Sequence, residues 1–262
     1  MGTAISCRHA DLSYGKQEVL QDITLDIHEG KFVFILGDNG KSSLLKLLGG
    51  LEEPRQGTLL HGENNVFRGG DAKRIELLRN TGHLFQEAAL IANLSMYENI
   101  ALPLRYHTRL PEKEIRERVA GMMEELKLHI QTDLRPAVFP IGVRKIAALA
   151  RALIMEPAMI FLDDPSSGIE RSAREAMLRM LLKLKQQGKT TAMFVSEDGR
   201  YISQLADRVL ILHDGKIIAD GTDTEVFASK DPYVREIALR IGQENMANTM
   251  QTKPDTRAGG NT

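Results

Sequence analysis

The sequence predicts an α/β protein with a mostly parallel sheet, helices on both faces and a helical segment inserted into the middle. Three observations carry this. Phe32-Val33-Phe34-Ile35-Leu36 is a continuous apolar run followed by a glycine turn and a leucine-rich helix. A second apolar run, Ala158 to Leu162, ends in the acid pair Asp163-Asp164 and is also followed by a helical stretch. Between the two lies a long region whose apolar residues recur at helical rather than strand spacing.

The elements follow in chain order. Ile23, Leu25 and Ile27 alternate with polar residues, as on a half-buried strand. Glu29-Gly30 turns the chain into the Phe32–Leu36 run, which fits a strand buried on both faces. Gly37 to Gly40 forms a turn, and Ser42 to Leu48 a helix closed by Gly49-Gly50. In the middle, Pro111 suits a first helical position, with Glu112 and Glu114 in the first turn. Ile115, Val119, Met122, Leu126 and Ile130 follow at helical spacing and predict a core-facing stripe. A second helix is expected from about Val143 to Met155, ended by Pro157. After the acidic strand come a helix from about Glu170 to Gln187, a strand at 190–195, and strands at 208–212 and 216–219 flanking a His213-Asp214-Gly215 turn. Residues 1–244 are expected to form one folded unit with the helical insertion at about 87–155. Residues 245–262 lack apolar period and are expected to form a disordered tail.

Composition narrows the function. The chain has 262 residues, 42% hydrophobic and 26% charged, ordinary values for a globular protein. A net charge of -1 removes the basic surplus that nucleic-acid binding needs. The single cysteine, Cys7, excludes an intramolecular disulfide and a multi-cysteine metal site, and reads as a small buried strand residue. No apolar run is long enough for a signal peptide or a membrane span, so the expected location is the cytoplasm, with membrane attachment through a partner.

The chemistry concentrates at two places. ILGDNGKSSLL, residues 35–45, resembles a phosphate-binding loop, G-x-x-x-x-G-K-[ST], that is two residues short. Alone, the string also fits a tight glycine turn with a solvated lysine. The carboxylates Asp163 and Asp164 stand at the carboxyl edge of the sheet, where open α/β folds bind ligands.

With these landmarks in order, the chain resembles the ATP-binding cassette (ABC) transporter nucleotide-binding subunits over roughly residues 4–225. Tyr14 in LSYGKQEVL stands where that family stacks an aromatic on adenine. Gln86 in TGHLFQEAAL matches its glutamine loop, and ALARALIMEPAMIFLDDP, VSED and LADRVLILHDGKIIADGT match its later motifs. KLLGGLEEPRQG and MYENIALPLRYHTRLPEKEI are most similar to the ATPases of Mla-type phospholipid transport systems. The resemblance implies a P-loop ABC cassette with an N-terminal antiparallel β part. It implies ATP and Mg²⁺ as cofactors, a permease partner contacted around residues 86–104, and a second cassette, identical or intact. It places the chain peripherally on the inner face of a membrane. Carried over residue by residue, Tyr14, Gly37, Asn39, Gly40, Lys41, Ser42, Ser43, Gln86 and Gly142 would bind nucleotide. Ser42, Gln86 and Asp163 would hold the metal, and Asp164 and Glu197 occupy the catalytic base and switch positions.

Four departures weaken the implied activity. The helix after the phosphate loop cannot slide to compensate, because a two-residue shift rotates its leucine face by about 200°. The loop therefore loses or misplaces two backbone donors, about 3–6 kcal/mol at ~1.5–3 kcal/mol per charged hydrogen bond. Asp164 replaces a glutamate base and is one methylene shorter. Counting back from Ala147–Arg151, Phe139-Pro140-Ile141-Gly142-Val143 occupies the signature position, where Pro140 removes a hydroxyl and an N–H and Ile141 replaces a glycine. Glu197 replaces a histidine that can donate to phosphate; an ionised carboxylate cannot. Glu170 replaces an aspartate, a milder change. Three readings remain: a degenerate cassette beside an active or identical partner, an active ATPase using Asp164, or a non-transport scaffold on the same fold.

Overall fold

The computed structural model describes residues 2–250, with side chains described as far as residue 242. Strands β1 (Thr3–Tyr14) and β2 (Gln17–His28) form an antiparallel hairpin. Strand β3 (Phe32–Gly37) is buried along its whole length and feeds helix α1 (Lys41–Leu48) through the short glycine turn. Strands β4 (Gln56–His61) and β5 (Asn64–Asn65) complete a four-stranded antiparallel sheet in the order β2-β1-β4-β5. Helix α2 (Gly70–Leu78) and strand β6 (Thr81–Leu84) follow, then the helical middle: α3 (Met96–His107), α4 (Glu112–Glu125) and α5 (Ile141–Leu153). The last third alternates β7 (Met159–Asp163), α6 (Arg171–Gln187), β8 (Thr191–Val195), α7 (Gly199–Leu205) and β9 (Arg208–His213). Strand β10 (Lys216–Gly221) and helices α8 (Asp223–Phe227) and α9 (Pro232–Met250) end the described chain.

The second sheet has the order β10-β9-β3-β8-β7-β6, with every neighbouring pair parallel except β9 and β10. Strands β3, β7 and β8 are buried along their whole length because both faces are covered, whereas the edge strand β10 alternates exposed and half-buried residues. Phe32, Phe34 and Leu36 point into one core with residues of α3, α5, α6, α7 and α9. Val33 and Ile35 point the other way, into a core shared with α1 and the antiparallel sheet. That alternation is the period of two that a strand imposes.

Some expectations need correction. The middle helix stops at Glu125; Lys127 has φ 52, so Ile130 leaves the predicted stripe for a loop. Helix α5 begins at Ile141, two residues earlier than its apolar period suggested, with Pro140 fixing the entry. Helix α3 is set by a capping box between Ser95 and Glu98, a signal outside the periodic segments. Helix α9 runs through Met250, into the segment expected as a tail. Once Val234, Ile237 and Ile241 are packed, extending an existing helix costs little. Residues 251–262 lie outside the described residues.

Candidate functional site

Parallel strands deliver their carboxyl ends to one edge of the sheet. Gly37 of β3 pairs with Leu212 of β9, Ile35 with Val195 of β8, and Val195 in turn with Asp163 of β7. The phosphate-type loop, Asp163, Glu197 and His213 therefore gather at that edge although they are far apart in sequence.

The loop is tight. Gly37 has φ 118, and a Cβ there would stand 1.8 Å from the carbonyl oxygen of Leu212. Only glycine fits. Gly40 has φ 100 and caps α1 without a side-chain partner. Asn39 is exposed at the tip. Helix α1 keeps its leucine face inward, with Leu44, Leu45, Leu47 and Leu48 buried, so the loop alone absorbs the two missing residues. Leu44 N donates to Gly40 O at 2.8 Å, closing the first helical turn. The N–H groups of Lys41, Ser42 and Ser43 precede that bond and are the helix's free donors, together with the positive end of its dipole.

Lys41 is held by its own chain. Its Nζ donates to Gly37 O and to Asp38 O, the latter at 2.9 Å, and lies 3.6 Å from Glu197 Oε1. Ser42 Oγ donates to Asp163 Oδ1 at 3.0 Å. Asp163 is only 6% exposed, and burial, above all, raises its carboxyl pKa; the Ser42 hydrogen bond works against that shift. Tyr14 is 44% exposed at the end of β1 with its hydroxyl 3.5 Å from Ser43 Oγ, which sets an aromatic ring beside the helix N-terminus.

The structure thus brings together Tyr14, Gly37, Gly40, Lys41, Ser42, Ser43, Asp163 and Glu197. Asp164 follows on a backbone with φ 49, its N–H bonded to Val195 O at 2.8 Å. Two candidates are not drawn into this cluster. Gln86 is exposed on the loop after β6 and makes no hydrogen bond to the cluster among the described residues. Gly142 sits in the first turn of α5 and packs on Ile169, where a Cβ would meet the Ile169 Cα at 3.1 Å. That close approach explains a glycine there without any ligand.

Several participants were not anticipated. Asp38, inside the quoted loop, places Oδ2 2.8 Å from His213 Nδ1, and His213 stacks on Tyr233 of α9 at 3.9 Å between ring centroids. Arg240 of α9 lies 3.1 Å from Glu197 Oε2. Lys145, 1% exposed, donates to Asp164 O at 2.7 Å, Ser167 O at 2.8 Å and Ser167 Oγ at 2.7 Å, which fixes the turn after β7. Burial lowers its pKa. The one available signal for Lys145 was a charged residue on an otherwise apolar helix face.

The donor set fits a magnesium nucleotide in part. Ser42 and Asp163 offer two hard oxygens already in contact, the type of pair Mg²⁺ takes when phosphate oxygens complete its shell. The helix N-terminus offers N–H donors to phosphate, while Glu197 offers the opposite. A cavity of about 830 Å³ lies elsewhere, between α4, α5 and α6, and is lined by residues such as Arg118, Met122, Leu153 and Met180. It holds no residue of the phosphate-type loop, and its charged lining includes Lys183 and Glu125, paired with each other at 2.7 Å.

Comparison with known proteins agrees with this geometry. The model of the ABC transporter family matches residues 20–167. The intermembrane phospholipid transport system ATP-binding protein MlaF of Haemophilus influenzae is 32% identical over 229 residues, 87% of each chain. The sulfate/thiosulfate import ATP-binding protein CysA of Methylococcus capsulatus is 36% identical over 249 residues, 93% of this chain and 69% of that one. Among solved structures, the dimeric post-hydrolysis state of the ATP-binding cassette MJ0796 bound to ADP and Pi superposes with a TM-score of 0.78 at 25% identity. It covers 83% of this chain and 98% of its own.

Proposed function

The chain belongs to the ABC transporter family as the ATP-binding subunit of a transport system, and from that premise we propose a cassette whose own ATP hydrolysis is weak or absent. One observation carries this reading. The phosphate-loop lysine is engaged by Gly37 O, Asp38 O and the carboxylate at the switch position, so the chain's own oxygens surround the group that should meet phosphate. The altered signature segment and the shorter carboxylate at Asp164 point the same way.

The residues divide the work as follows. Tyr14 presents a ring for a base, and the N–H groups at the start of α1 orient a phosphate chain. Ser42 and Asp163 would hold a magnesium ion, which would neutralise phosphate charge when bound. Gln86, on its exposed loop, would join the site only on closure. Asp164 would reach an attacking water less well than a glutamate, since a base must come within about 2.6–3.2 Å of the proton it takes. Gly142 would act from the facing cassette across a dimer, where Pro140 and Ile141 leave little to grip a terminal phosphate.

We assign the subunit to a phospholipid transport complex of the Mla type. It would dock on a permease at the inner membrane face through residues 86–104, beside an identical or an intact second cassette. The MlaF relative, matched over 87% of its length, supports the lipid assignment, and the sulfate importer, 36% identical over 69% of its length, is its competitor. No helix among the described residues is long and apolar enough to cross a membrane, consistent with attachment through a partner. Phosphate release measured on the isolated chain tests the proposal: turnover near background is expected. Brisk turnover that Asp164→Asn abolishes would overturn it and give Asp164 the base role. Lipid analysis of the purified permease complex tests the substrate, with bound phospholipid expected and its absence moving the assignment to a small-solute importer.

A further inference from the structure

Lys41 has three N–H bonds to give. Two meet carbonyl oxygens of the loop that carries it, Gly37 O and Asp38 O. Glu197 Oε1 is the next acceptor, at 3.6 Å. The other oxygen of the same carboxylate, Oε2, lies 3.1 Å from Arg240 on α9. Glu197 is thus clamped between the phosphate-loop lysine and a cation of the last helix. Helix α9 is itself anchored, with Val234, Ile237 and Ile241 buried and Tyr233 stacked on the His213 that bonds to Asp38.

A phosphate-loop lysine reaches the β- and γ-phosphates of a bound nucleotide. A carboxylate fixed beside it has the charge and the acceptor oxygens of a phosphate group. Resting on the nucleotide site proposed above, we infer that Glu197 stands in for a third phosphate, so that the site takes a nucleoside diphosphate in preference to the triphosphate. A diphosphate ends at the helix N-terminus and shares Lys41 with the carboxylate. A triphosphate brings one further negative charge to the same place and must displace Glu197 or lie against it. Arg240 cancels part of the carboxylate's charge, which limits the discrimination to about tenfold and makes it adjustable from α9.

The test titrates ADP and ATP, each with Mg²⁺, into the full chain by calorimetry, for the wild type, Glu197→Gln and Arg240→Ala. The readout is the ratio of the two affinities on one protein sample, so a partly misfolded variant still reports it. The wild type should favour ADP by about tenfold, Glu197→Gln should bring the ratio to within about threefold of unity, and Arg240→Ala should widen it towards about a hundredfold. Equal affinities in the wild type, or a ratio that Glu197→Gln leaves unchanged, would overturn this inference and leave the nucleotide site standing. Binding of neither nucleotide would overturn the nucleotide site and the inference together.

Discussion

Replacing Asp163 by Asn should stabilise the fold while removing magnesium-dependent nucleotide binding. Asp163 ends a buried strand, is 6% exposed, and has its carboxyl pKa raised first by burial and further by the neighbouring Asp164 charge. The sign follows from linkage. A carboxyl whose folded pKa lies above its unfolded value binds protons more tightly in the folded state. Stability therefore falls as pH rises from the unfolded pKa through the folded one, and the penalty is complete above it. At neutral pH the ionised Asp163 costs stability. Asparagine removes the charge and keeps an Oδ1 that can accept from Ser42 Oγ, now 3.0 Å away. Relief of such active-site frustration is worth about 0.5–2 kcal/mol. At roughly 2–4 °C per kcal/mol for a domain of this size, Tm should rise by about 1–8 °C. Differential scanning calorimetry at pH 7 without nucleotide checks the gain, which should shrink as pH falls through the raised carboxyl pKa. A lower Tm for Asp163→Asn at pH 7, or a gain that grows on acidification, would refute the reasoning.

Further outcomes can be checked on the same protein. Gly37→Ala puts a Cβ 1.8 Å from Leu212 O at φ 118, so the chain should lose about 3 kcal/mol or more, seen as a lower urea midpoint; an unchanged midpoint would show that the loop can move. Cys7 is fully buried in β1 and its thiol pKa is pushed up to about 12 by burial, so the native protein should resist thiol reagents at pH 8 and react only on unfolding. Asn99 is fully buried and ties its amide to Ile91 N and O, Leu94 O and Ser95 O. Asn99→Ala should cost about 1–3 kcal/mol and raise hydrogen exchange in residues 91–95, within the 86–104 segment proposed for the permease contact; unchanged exchange there would separate Asn99 from that loop.

How much of this was legible follows from what each signal measures. Apolar runs report burial on both faces, and Phe32–Leu36 and Met159–Leu162 became central strands of one sheet, with β8 between them, as their composition demanded. Helical period reports a face, not an end. It therefore carried one stripe past Glu125 to Ile130, and it does not fix the start of α3, which the Ser95–Glu98 box sets. The cluster at the sheet edge was legible only as separate candidates. Lys41 and Glu197 are distant in sequence, and strand order brings them together. Treated as a phosphate-binding relic, Lys41 has no reason to persist in a loop two residues short. In the fold it has one: its ammonium ties Gly37 O to Asp38 O inside a turn where only glycine fits, and it neutralises Glu197 next to it. The lysine is then part of the loop's structure as well as its chemistry. Survival of a motif residue is weak evidence for survival of the reaction, because packing and charge balance can retain it. The partner of that residue is the better witness, and here the partner is a carboxylate.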